Sequence, residues 1–265
     1  MRIAFWNTGK NRINKLIFSL IAENNVDLIG LAEYQDDINE LIGMLSKSGR
    51  CMDRIDAAGC ERVLLIGDQR SMQQAFQSRY CSMQIINETI IACCMHLRSD
   101  VNEGEGQRQF IIQDIVREAE TYSVKSGIPS IVYFGDMNEN PYQTGCLGAD
   151  KFHALPSRMD AQKGVRRIPG SDRQFRIYYN PMWSLLGDFS YPPGTYYYDR
   201  SGKTVEPFWH MLDQVIISAD MIDSFVKEEL KIITAIDKES LLDQKMRPRK
   251  SISDHLPILF EIKKG

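Results

Sequence analysis

Acidic, amide and imidazole side chains recur in this chain where short apolar runs end, and together they could hold a metal and hydrolyse a phosphoester. The set comprises Glu33, Asp136, Asn138, Asp213, Asp254 and His255. Carboxylates gathered in one cleft repel one another unless a cation holds them, and oxygen ligands of this kind suit Mg²⁺ or Mn²⁺. Phosphodiester hydrolysis places negative charge on the phosphate oxygens, which a metal and an imidazole stabilise.

Short runs rich in Ile and Val predict the strands that must position these side chains. The predicted strands are Ile3–Trp6, Val26–Ala32, Val63–Ile66, Thr89–Met95, Ser130–Phe134, Gln214–Ile217 and Ile258–Ile262. Apolar residues at helical spacing predict helices around 13–21, 38–45 and 112–119. Strands and helices alternate early, and several strands follow one another later. This order favours an α/β fold of two packed sheets with helices outside over a doubly wound parallel sheet.

Each of these six candidate site residues lies near one end of a predicted strand, as do Asn7 and His96. Strand ends meet at the edge of a sheet, so residues far apart in sequence can share one cleft. Taken singly, each has a simpler explanation. Gly-Asp-x-Asn is typical of a turn, Ser-Asp-His can cap a helix, and one histidine is often a core residue. The prediction of a site depends on their occurring together.

The composition is that of a globular protein that can bury a sizeable core. The chain has 265 residues, 43% of them hydrophobic, and a formal net charge of −3. That charge argues against a protein that coats nucleic acid through bulk positive charge, but not against a nuclease with local basic patches. We predict a single domain over 1–265, with an elaborated insert at 142–207.

Cysteine usage and hydropathy bear on the expected location. The six cysteines form no C-x-x-C pair and the four histidines are scattered, so reduced thiols are expected and a structural zinc site is not. The N-terminal apolar run is too short for a signal peptide core, and no run approaches the ~18 apolar residues of a membrane span. A cytoplasmic protein without a membrane span is expected; the oligomeric state stays open.

The motifs resemble those of the endonuclease/exonuclease/phosphatase superfamily. Gly-Asp-x-Asn followed by a late Ser-Asp-His-x-Pro is the specific part, and the resemblance extends from Asn7 to Pro257. The matching stretches are Phe5-Trp6-Asn7, Leu31-Ala32-Glu33, Met95-His96-Leu97, Phe134-Gly135-Asp136-Met137-Asn138, Leu212-Asp213-Gln214-Val215 and Ser253-Asp254-His255-Leu256-Pro257. The chain departs from the pattern with Tyr34 directly after the glutamate, and with Gln214 where tyrosine is more usual.

The resemblance implies a four-layered α/β sandwich, in which two central mixed β-sheets are flanked by helices. It also implies roles for the site residues. Glu33 would be the main ligand of Mg²⁺ or Mn²⁺, with Asn7 and Asp254 nearby. Asp136 and Asn138 would position and deprotonate the attacking water. His255 and His96 would contact the scissile phosphate, and Asp213 would orient the His255 ring.

Basic and aromatic residues bear on the substrate. The insert is rich in arginine and tyrosine, including Arg173 and Arg176, and a second basic run occupies 245–250. Arginines bind phosphates and aromatic faces stack on bases, which suits single-stranded or frayed nucleic acid. Trp209 lies just before Asp213, where relatives often carry an aromatic beside the substrate.

Arg98 and Arg108 follow His96 in a pattern similar to that of deadenylases and tyrosyl-DNA phosphodiesterases, and either could reach a phosphate. Equally, Arg108 could simply begin the next helix. The sequence therefore predicts a metal-dependent hydrolase, a nuclease acting on DNA or RNA as endonuclease or exonuclease. The alternative is a phosphatase or phosphodiesterase acting on a small phosphoester, such as an inositol phosphate or a phospholipid head group.

Overall fold

The structure is a computed structural model. It describes residues 1–99, 106–170, 172–187, 189, 191–198 and 208–263. Arg200 and Lys203, two basic residues of the predicted 142–207 insert, lie outside the described residues.

The helices of the described chain are α1 (Asn14–Asn24), α2 (Ile38–Lys47), α3 (Gly106–Ser126), α4 (Thr144–Leu147) and α5 (Arg158–Ala161), with 3₁₀ turns at Gln69–Ser71, Pro181–Leu185 and Ala219–Met221. The strands are β1 (Arg2–Asn7), β2 (Leu28–Ala32), β3 (Asp53–Arg54), β4 (Val63–Gly67), β5 (Met72–Ser78), β6 (Cys81–Ile86), β7 (Ile90–His96), β8 (Ser130–Asp136), β9 (Ala154–Leu155), β10 (Val165–Arg167), β11 (Gln174–Arg176), β12 (Tyr178–Tyr179), β13 (Tyr196–Tyr197), β14 (Trp209–His210), β15 (Asp213–Ser218), β16 (Phe225–Ile232), β17 (Ala235–Ile236), β18 (Glu239–Ser240) and β19 (Ile258–Ile262).

Two large mixed sheets dominate the described chain. The first sheet has the order β16-β19-β1-β2-β4-β3, and the second has the order β5-β6-β7-β8-β15-β12-β9. In the first sheet β1 runs parallel to β2 and antiparallel to β19. In the second sheet β8 runs parallel to β7 and antiparallel to β15. The chain therefore places β1 and β8 near the centres of their sheets.

Alternating side chains on the central strands build the layers. Successive residues of a strand point to opposite faces of its sheet. Phe5 on β1 and Phe134 on β8 enter the core between the two sheets. Trp6 packs instead with α1 and α2 on the outer face of the first sheet, and Tyr133 packs with α3 on the outer face of the second. The result is helix, sheet, sheet, helix, which confirms the predicted four-layered sandwich.

The seven predicted strands and three predicted helices are present, with ends that differ by a few residues. Strands β5, β6 and β16 were not predicted from the sequence. Residues 142–207 were described as an insert, yet within this range β9 and β12 pair with each other and β12 joins β15 of the second sheet. Among the described residues, therefore, part of that region belongs to the sandwich itself. The single-domain description remains a prediction.

Helix length and polarity bear on the membrane question. None of the helices in the described part of the chain is long and apolar enough to cross a membrane.

Candidate active site

Three of the predicted site residues lie side by side at the ends of neighbouring strands of the second sheet. The register pairs His96 on β7 with Asp136 on β8, and Asp136 with Asp213 on β15. Asn7 ends β1 of the first sheet, and its Nδ2 donates a 2.9 Å hydrogen bond to Asp136 Oδ2. The site therefore spans the junction between the two sheets.

Gly135 allows β8 to deliver Asp136 to this position. Its φ is 137°, and a Cβ built there would lie 2.0 Å from the carbonyl oxygen of Met95 on β7. Only glycine tolerates both the backbone conformation and the close approach. After it the chain turns at Asn138, whose backbone N–H donates to Asp136 Oδ1 at 3.0 Å and whose Nδ2 donates to the Leu97 carbonyl at 3.0 Å. The turn thus fixes the Asp136 carboxylate.

His255 is buried between two carboxylates. Its Nδ1 lies 2.8 Å from Asp213 Oδ2, and its Nε2 lies 3.9 Å from Asp136 Oδ2. Ser253 anchors the segment, because its Oγ accepts from the His255 backbone N–H and donates to the Asn7 carbonyl. Trp6 Nε1 donates to the His255 carbonyl at 3.1 Å. The Ser-Asp-His motif is therefore tied to β1 and is not a helix cap.

The charge state of His255 follows from these neighbours. Burial alone lowers the pKa of an imidazole, but the charges of Asp213 and Asp136 outweigh it and raise the pKa of His255 to about 10. Burial raises the pKa of Asp136, but His255 and His96 outweigh that effect and bring it below its ordinary value. Burial raises the pKa of Asp213 above its ordinary value, against the opposing charge and hydrogen bond of His255. At neutral pH the site therefore holds a charged His255 beside the ionised Asp136.

His96 lies on the other side of Asp136. Its Nε2 is 3.6 Å from Asp136 Oδ2 and 3.9 Å from Glu33 Oε1. Burial lowers the pKa of His96 below its ordinary value, and the charge of Arg62 adds to that effect. Its Nε2 faces the same space as the two acids, as expected for a side chain that meets a phosphate there.

A metal would find free oxygen ligands beside this cluster. Asp136, Asp213 and His255 offer atoms within 4.8 Å of one another, but these three groups already contact each other. Glu33 and Asp254 differ, because within the described chain their carboxylates accept no hydrogen bond. Glu33 follows β2 and Asp254 precedes β19, the two strands that flank β1. Two carboxylates with free oxygens on either side of the Asn7 strand fit a hard divalent cation.

Local backbone geometry holds both carboxylates at this edge. Glu33 has a φ of 51°, and its carbonyl accepts a hydrogen bond from Thr8 Oγ1 at 3.0 Å. A Cβ on Gly9 would lie 3.0 Å from Asp254 Oδ1, so the loop after β1 passes directly against that carboxylate. The residue types and their placement fit the metal that the sequence resemblance implied.

Thr195 and Tyr196 also contribute to the site, and no motif predicted them individually. Thr195 Oγ1 accepts from the Asp213 backbone N–H at 3.1 Å, and the Thr195 carbonyl accepts from the Leu256 N–H at 2.8 Å. The Tyr196 ring lies 4.7 Å from the His255 ring. The run of three tyrosines at 196–198 was the only sequence signal for this contact.

Trp209 belongs to an aromatic cluster with Tyr197 and Tyr191, on the opposite face of the β13–β14 pair from Tyr196. Its ring lies 5.2 Å from the Tyr197 ring and 6.0 Å from the Tyr191 ring. Arg247, from the second basic run, sits over the Tyr197 ring at 4.1 Å. The cluster therefore joins Tyr191 and Tyr197 of the 142–207 region to the second basic run, while the neighbouring Tyr196 faces His255.

Arg108 serves the protein interior. It lies in the first turn of α3, is 3% exposed, and its Nε donates to Glu139 Oε1 at 2.8 Å. Its Nη1 donates to the Arg98 carbonyl at 3.3 Å, while Arg98 donates to Gln107. Of the two interpretations left open for Arg108, the geometry supports the helix start. The ion pair steadies the segment just after Asn138.

Gln214, which departs from the superfamily pattern, supports the same segment. It is fully buried, accepts a 2.7 Å hydrogen bond from Asn180 Nδ2, and donates to the Glu139 carbonyl. An amide side chain at this position donates one hydrogen bond and accepts another at the same time. A tyrosine hydroxyl can also do both, but it lies at a different distance from the backbone. The substitution therefore has a structural explanation.

Arg173 and Arg176 do not share the cleft with Asp136, contrary to the expectation for substrate-binding residues. Arg176 donates to the Pro129 carbonyl and to Ser123 Oγ, where β8 begins. Strand β8 has seven residues, so its two ends are about 20 Å apart at about 3.3 Å per residue. The hairpin formed by β10 and β11, which Arg173 adjoins, therefore lies at the opposite edge of the second sheet. Only a long strand of nucleic acid could reach both places.

Comparisons with known proteins identify the fold. No family model and no curated protein matches the sequence. Among solved structures, the 3′ phosphatase NExo from Neisseria bound to a product DNA hairpin has a TM-score of 0.58 and 13% identity, with 100% of both chains covered. An AP endonuclease from Archaeoglobus fulgidus has a TM-score of 0.56 and 13% identity, with 100% of both chains covered. The human Nocturnin catalytic domain has a TM-score of 0.54 and 14% identity over 98% of this chain and 93% of that one.

Proposed function

Because the chain has the fold of the endonuclease/exonuclease/phosphatase superfamily, we propose that it is a divalent-metal-dependent phosphodiesterase that hydrolyses nucleic-acid phosphodiester bonds. The structurally similar enzymes act on phosphoester bonds, which supports the coarser statement that this is a phosphoester hydrolase. The metal, the nucleic-acid substrate and the residue roles are our proposal.

One observation carries the proposal above the others. The buried contacts from Asp213 through His255 to Asp136 and Asn7 lie beside two carboxylates whose oxygens accept no hydrogen bond from the described residues. A structural ion-pair network would satisfy its members and would not add unpartnered acids at its open side. A site for charge-stabilised hydrolysis needs both features.

Each residue of the candidate site has a task in the proposed reaction. Asp136 is ionised and held by Asn7 and the Asn138 backbone, so it can accept the proton of a water molecule. His255 is charged, and the Asp213 contact at Nδ1 leaves Nε2 to donate to a phosphate oxygen as negative charge develops. His96 Nε2 faces the same oxygen region from the other side. Asn138 stays a predicted partner of the attacking water.

Glu33 and Asp254, with Asn7 between them, would hold the cation. A bound Mg²⁺ or Mn²⁺ would supply positive charge to the phosphate oxygens and the leaving group. The residues nearby then need only orient the phosphate, exclude bulk water and move one proton.

Nucleic acid is the substrate class that the surroundings favour. NExo is described with a product DNA hairpin, and TDP2 from D. rerio, with a TM-score of 0.54 and 14% identity over 100% of this chain and 99% of that one, with a single-strand DNA product. In this chain the Tyr196 ring lies against His255, and the neighbouring Tyr197, Trp209 and Tyr191 rings form a cluster with Arg247. Aromatic and cationic surfaces of this kind suit stacked bases and phosphates. Cytoplasmic location remains a prediction.

A substrate panel tests the proposal. Purified protein would be incubated with Mg²⁺ or Mn²⁺ and plasmid DNA, single-stranded DNA, RNA or an inositol phosphate. We expect cleavage of at least one nucleic acid, and a loss of about 10³-fold or more in Asp136→Ala. Asp220→Ala, at the opposite edge of the second sheet, is the matched control. Hydrolysis of the inositol phosphate alone would replace the nuclease by the small-phosphoester alternative, and full activity in Asp136→Ala would remove the proposed site.

A further inference from the structure

A groove of about 500 Å³ adjoins the catalytic residues. Glu33 and His96 line it, and much of its wall comes from β2, β4 and the loops beside them. Three cationic side chains also line it: Lys10, Arg54 and Arg62. A channel that joins candidate catalytic residues to a row of cations is a path for an anionic chain.

Arg62 is the cation that adjoins the catalytic edge. Strands β2 and β4 are antiparallel with Ala32 opposite Val63, so Glu33, directly after β2, and Arg62, directly before β4, adjoin the same end of this strand pair. Arg62 Nη1 also donates weakly, at 3.4 Å, to the Leu97 carbonyl, the same oxygen that receives the Asn138 side chain. Arg62 therefore touches the catalytic loop and opens into the groove.

Three acids also line the groove: Glu33 is the proposed cation ligand, and the other two have partners in the described chain. Glu61 also lines the groove, but it pairs with Arg79 at 2.9 Å. Asp36 lines it too, and accepts hydrogen bonds from the backbone N–H groups of Asn14 and Asp37. Within the described residues, Arg62 and Lys10 form no ion pair. Their charges can therefore meet a ligand.

We propose that this groove binds the phosphate next to the scissile one, with Arg62 as its main ligand and Lys10 and Arg54 as contacts for the strand beyond. This inference rests on the proposed function and adds a direction: the strand leaves the site past the adjoining ends of the paired strands β2 and β4. A guanidinium suits this role, because its Cζ lies over the Tyr80 ring, 5.6 Å from the ring centroid, while the N–H donors in its plane can meet a phosphate.

The chain provides a matched control for Arg62. Arg79 also packs over the Tyr80 ring, at 6.0 Å, but it pairs with Glu61 and does not line the groove. Replacing either arginine by glutamine removes a guanidinium from the same aromatic ring. Only Arg62→Gln removes a phosphate ligand, so the two variants separate lost packing from lost binding.

The first experiment compares KM and kcat for two substrates. A 12-nucleotide single strand has phosphates on both sides of a cleavage point, whereas bis(4-nitrophenyl) phosphate has none. We expect Arg62→Gln to raise the KM for the strand by roughly 10- to 100-fold, with a much smaller change for the nitrophenyl ester. Arg62→Lys should recover part of the loss. An equal loss for both substrates, or an equal loss in Arg79→Gln, would overturn the proposal.

The second experiment measures binding without cleavage. A fluorescent 12-nucleotide single strand would be titrated at several salt concentrations against Asp136→Asn protein with and without Arg62→Gln or Arg79→Gln. One lost phosphate contact lowers the slope of log affinity against log salt by about 0.7 for a single strand. We expect that change for Arg62→Gln alone. Equal slopes would overturn the groove, even if the wild-type protein cleaves strands. If it cleaves none, the proposed function fails while the slopes still decide the groove.

Discussion

His255 and His96 flank the same Asp136 carboxylate, and their surroundings push their pKa values in opposite directions. His255 is buried but touches two carboxylates, so it stays charged. For His96 burial is the larger effect, with Arg62 nearby, and its pKa falls. Titratable groups whose pKa values are driven apart by their neighbours are typical of acid–base sites. At the residue scale, the charge pattern is therefore as informative as the identity of the residues.

Asp213→Asn is the sharpest residue-scale test of this pattern. Asparagine keeps the size of the side chain but removes the charge that holds the His255 imidazolium. We expect kcat to fall by about 10²- to 10⁴-fold, with a smaller change in KM. Steady-state kinetics on a nucleic-acid substrate would measure this. Asp223→Asn changes a carboxylate whose side chain is 85% exposed beside Arg158, and should leave kcat unchanged; similar losses in both variants would contradict the assigned role.

Most of the candidate site could be predicted from sequence because its members end strands and stand in short motifs. Glu33, Asp136 and His255 are of this kind, and the structure brings them to one edge. Thr195 and Arg62 carry no local pattern, and their positions depend on how distant strands pair. Arg173 was misplaced for the same reason, since composition reports positive charge but not the edge of the sheet on which it lies.

Strand β8 shows how one element sets the geometry of the site. Its alternation places Val132 and Phe134 between the sheets and Ile131 and Tyr133 against α3, which fixes the direction in which Asp136 must point. A shift of one residue would exchange the two faces. Because β7 and β15 pair with β8 on either side, His96 and Asp213 follow the same register.

Gly135→Ala should disrupt this element. The new Cβ would meet the Met95 carbonyl oxygen at 2.0 Å in a backbone conformation that alanine rarely adopts. We expect a loss of about 3 kcal/mol or more in the free energy of unfolding, measured by urea denaturation. Gly43→Ala is the control: Gly43 lies within α2 with open space around it, so alanine should stabilise by about 0.5–1 kcal/mol. An unchanged free energy of unfolding in Gly135→Ala would show that β7 and β8 do not approach each other this closely.

Helix α3 provides a pH-dependent test. Burial raises the pKa of Glu120 above its ordinary value of 4.5, against the opposing hydrogen bond from Tyr178. A raised carboxyl pKa favours the folded state when the group is protonated, below the pKa of the unfolded chain. That contribution is lost as the pH rises from about 4.5 through the folded-state pKa.

Glu120→Gln keeps an acceptor for the Tyr178 hydroxyl and removes the buried charge. We expect this variant to melt about 1–3 °C higher than wild type at pH 7 and at nearly the same temperature at pH 4. Thermal denaturation across this pH range would measure it. If the Tm difference between Glu120→Gln and wild type does not change with pH, the effect of the substitution does not come from the charge of Glu120.

Element prediction from sequence succeeded where one face or both faces of a strand are apolar. β5 was missed because its sequence, MQQAFQS, is polar and only half-buried. β6 is buried throughout but contains Ser82 and Gln84. Gln84 Nε2 donates to the Asp56 carbonyl and to Ser82 Oγ, so the amide N–H groups of this buried side chain find partners inside the fold. Such satisfaction comes from tertiary contacts, which a hydrophobic pattern does not contain.

At the scale of the whole molecule, the site belongs to neither sheet alone. The first sheet supplies Asn7 and the carboxylates of Glu33 and Asp254, and the second supplies His96, Asp136 and Asp213. The residues that would hold a cation thus come from one layer, and those that would move a proton mostly from the other. The Asn7–Asp136 hydrogen bond joins the two sets.

Cation binding should therefore stabilise the assembled molecule. We expect saturating Mn²⁺ to raise the Tm of the wild type by about 5 °C or more. Glu33→Gln should lose most of that shift, because it removes one of the two free carboxylates. Glu228→Gln, an exposed acid paired with Lys227 on β16, is the control and should respond like wild type. Equal shifts in all three proteins would place the cation elsewhere.

The pairing of β1 with β19 has a consequence for synthesis of the protein. Asn7 and Glu33 leave the ribosome early, whereas Asp213, Asp254 and His255 follow only 180 residues or more after Glu33. A nascent chain that has been translated through Trp209 carries the first two residues and none of the last three. Such a chain lacks the charged imidazole and its paired acids, so a growing polypeptide that emerges beside its own messenger RNA has no assembled phosphodiesterase site. Translation as far as His255 is thus required before the proposed phosphodiesterase site can assemble.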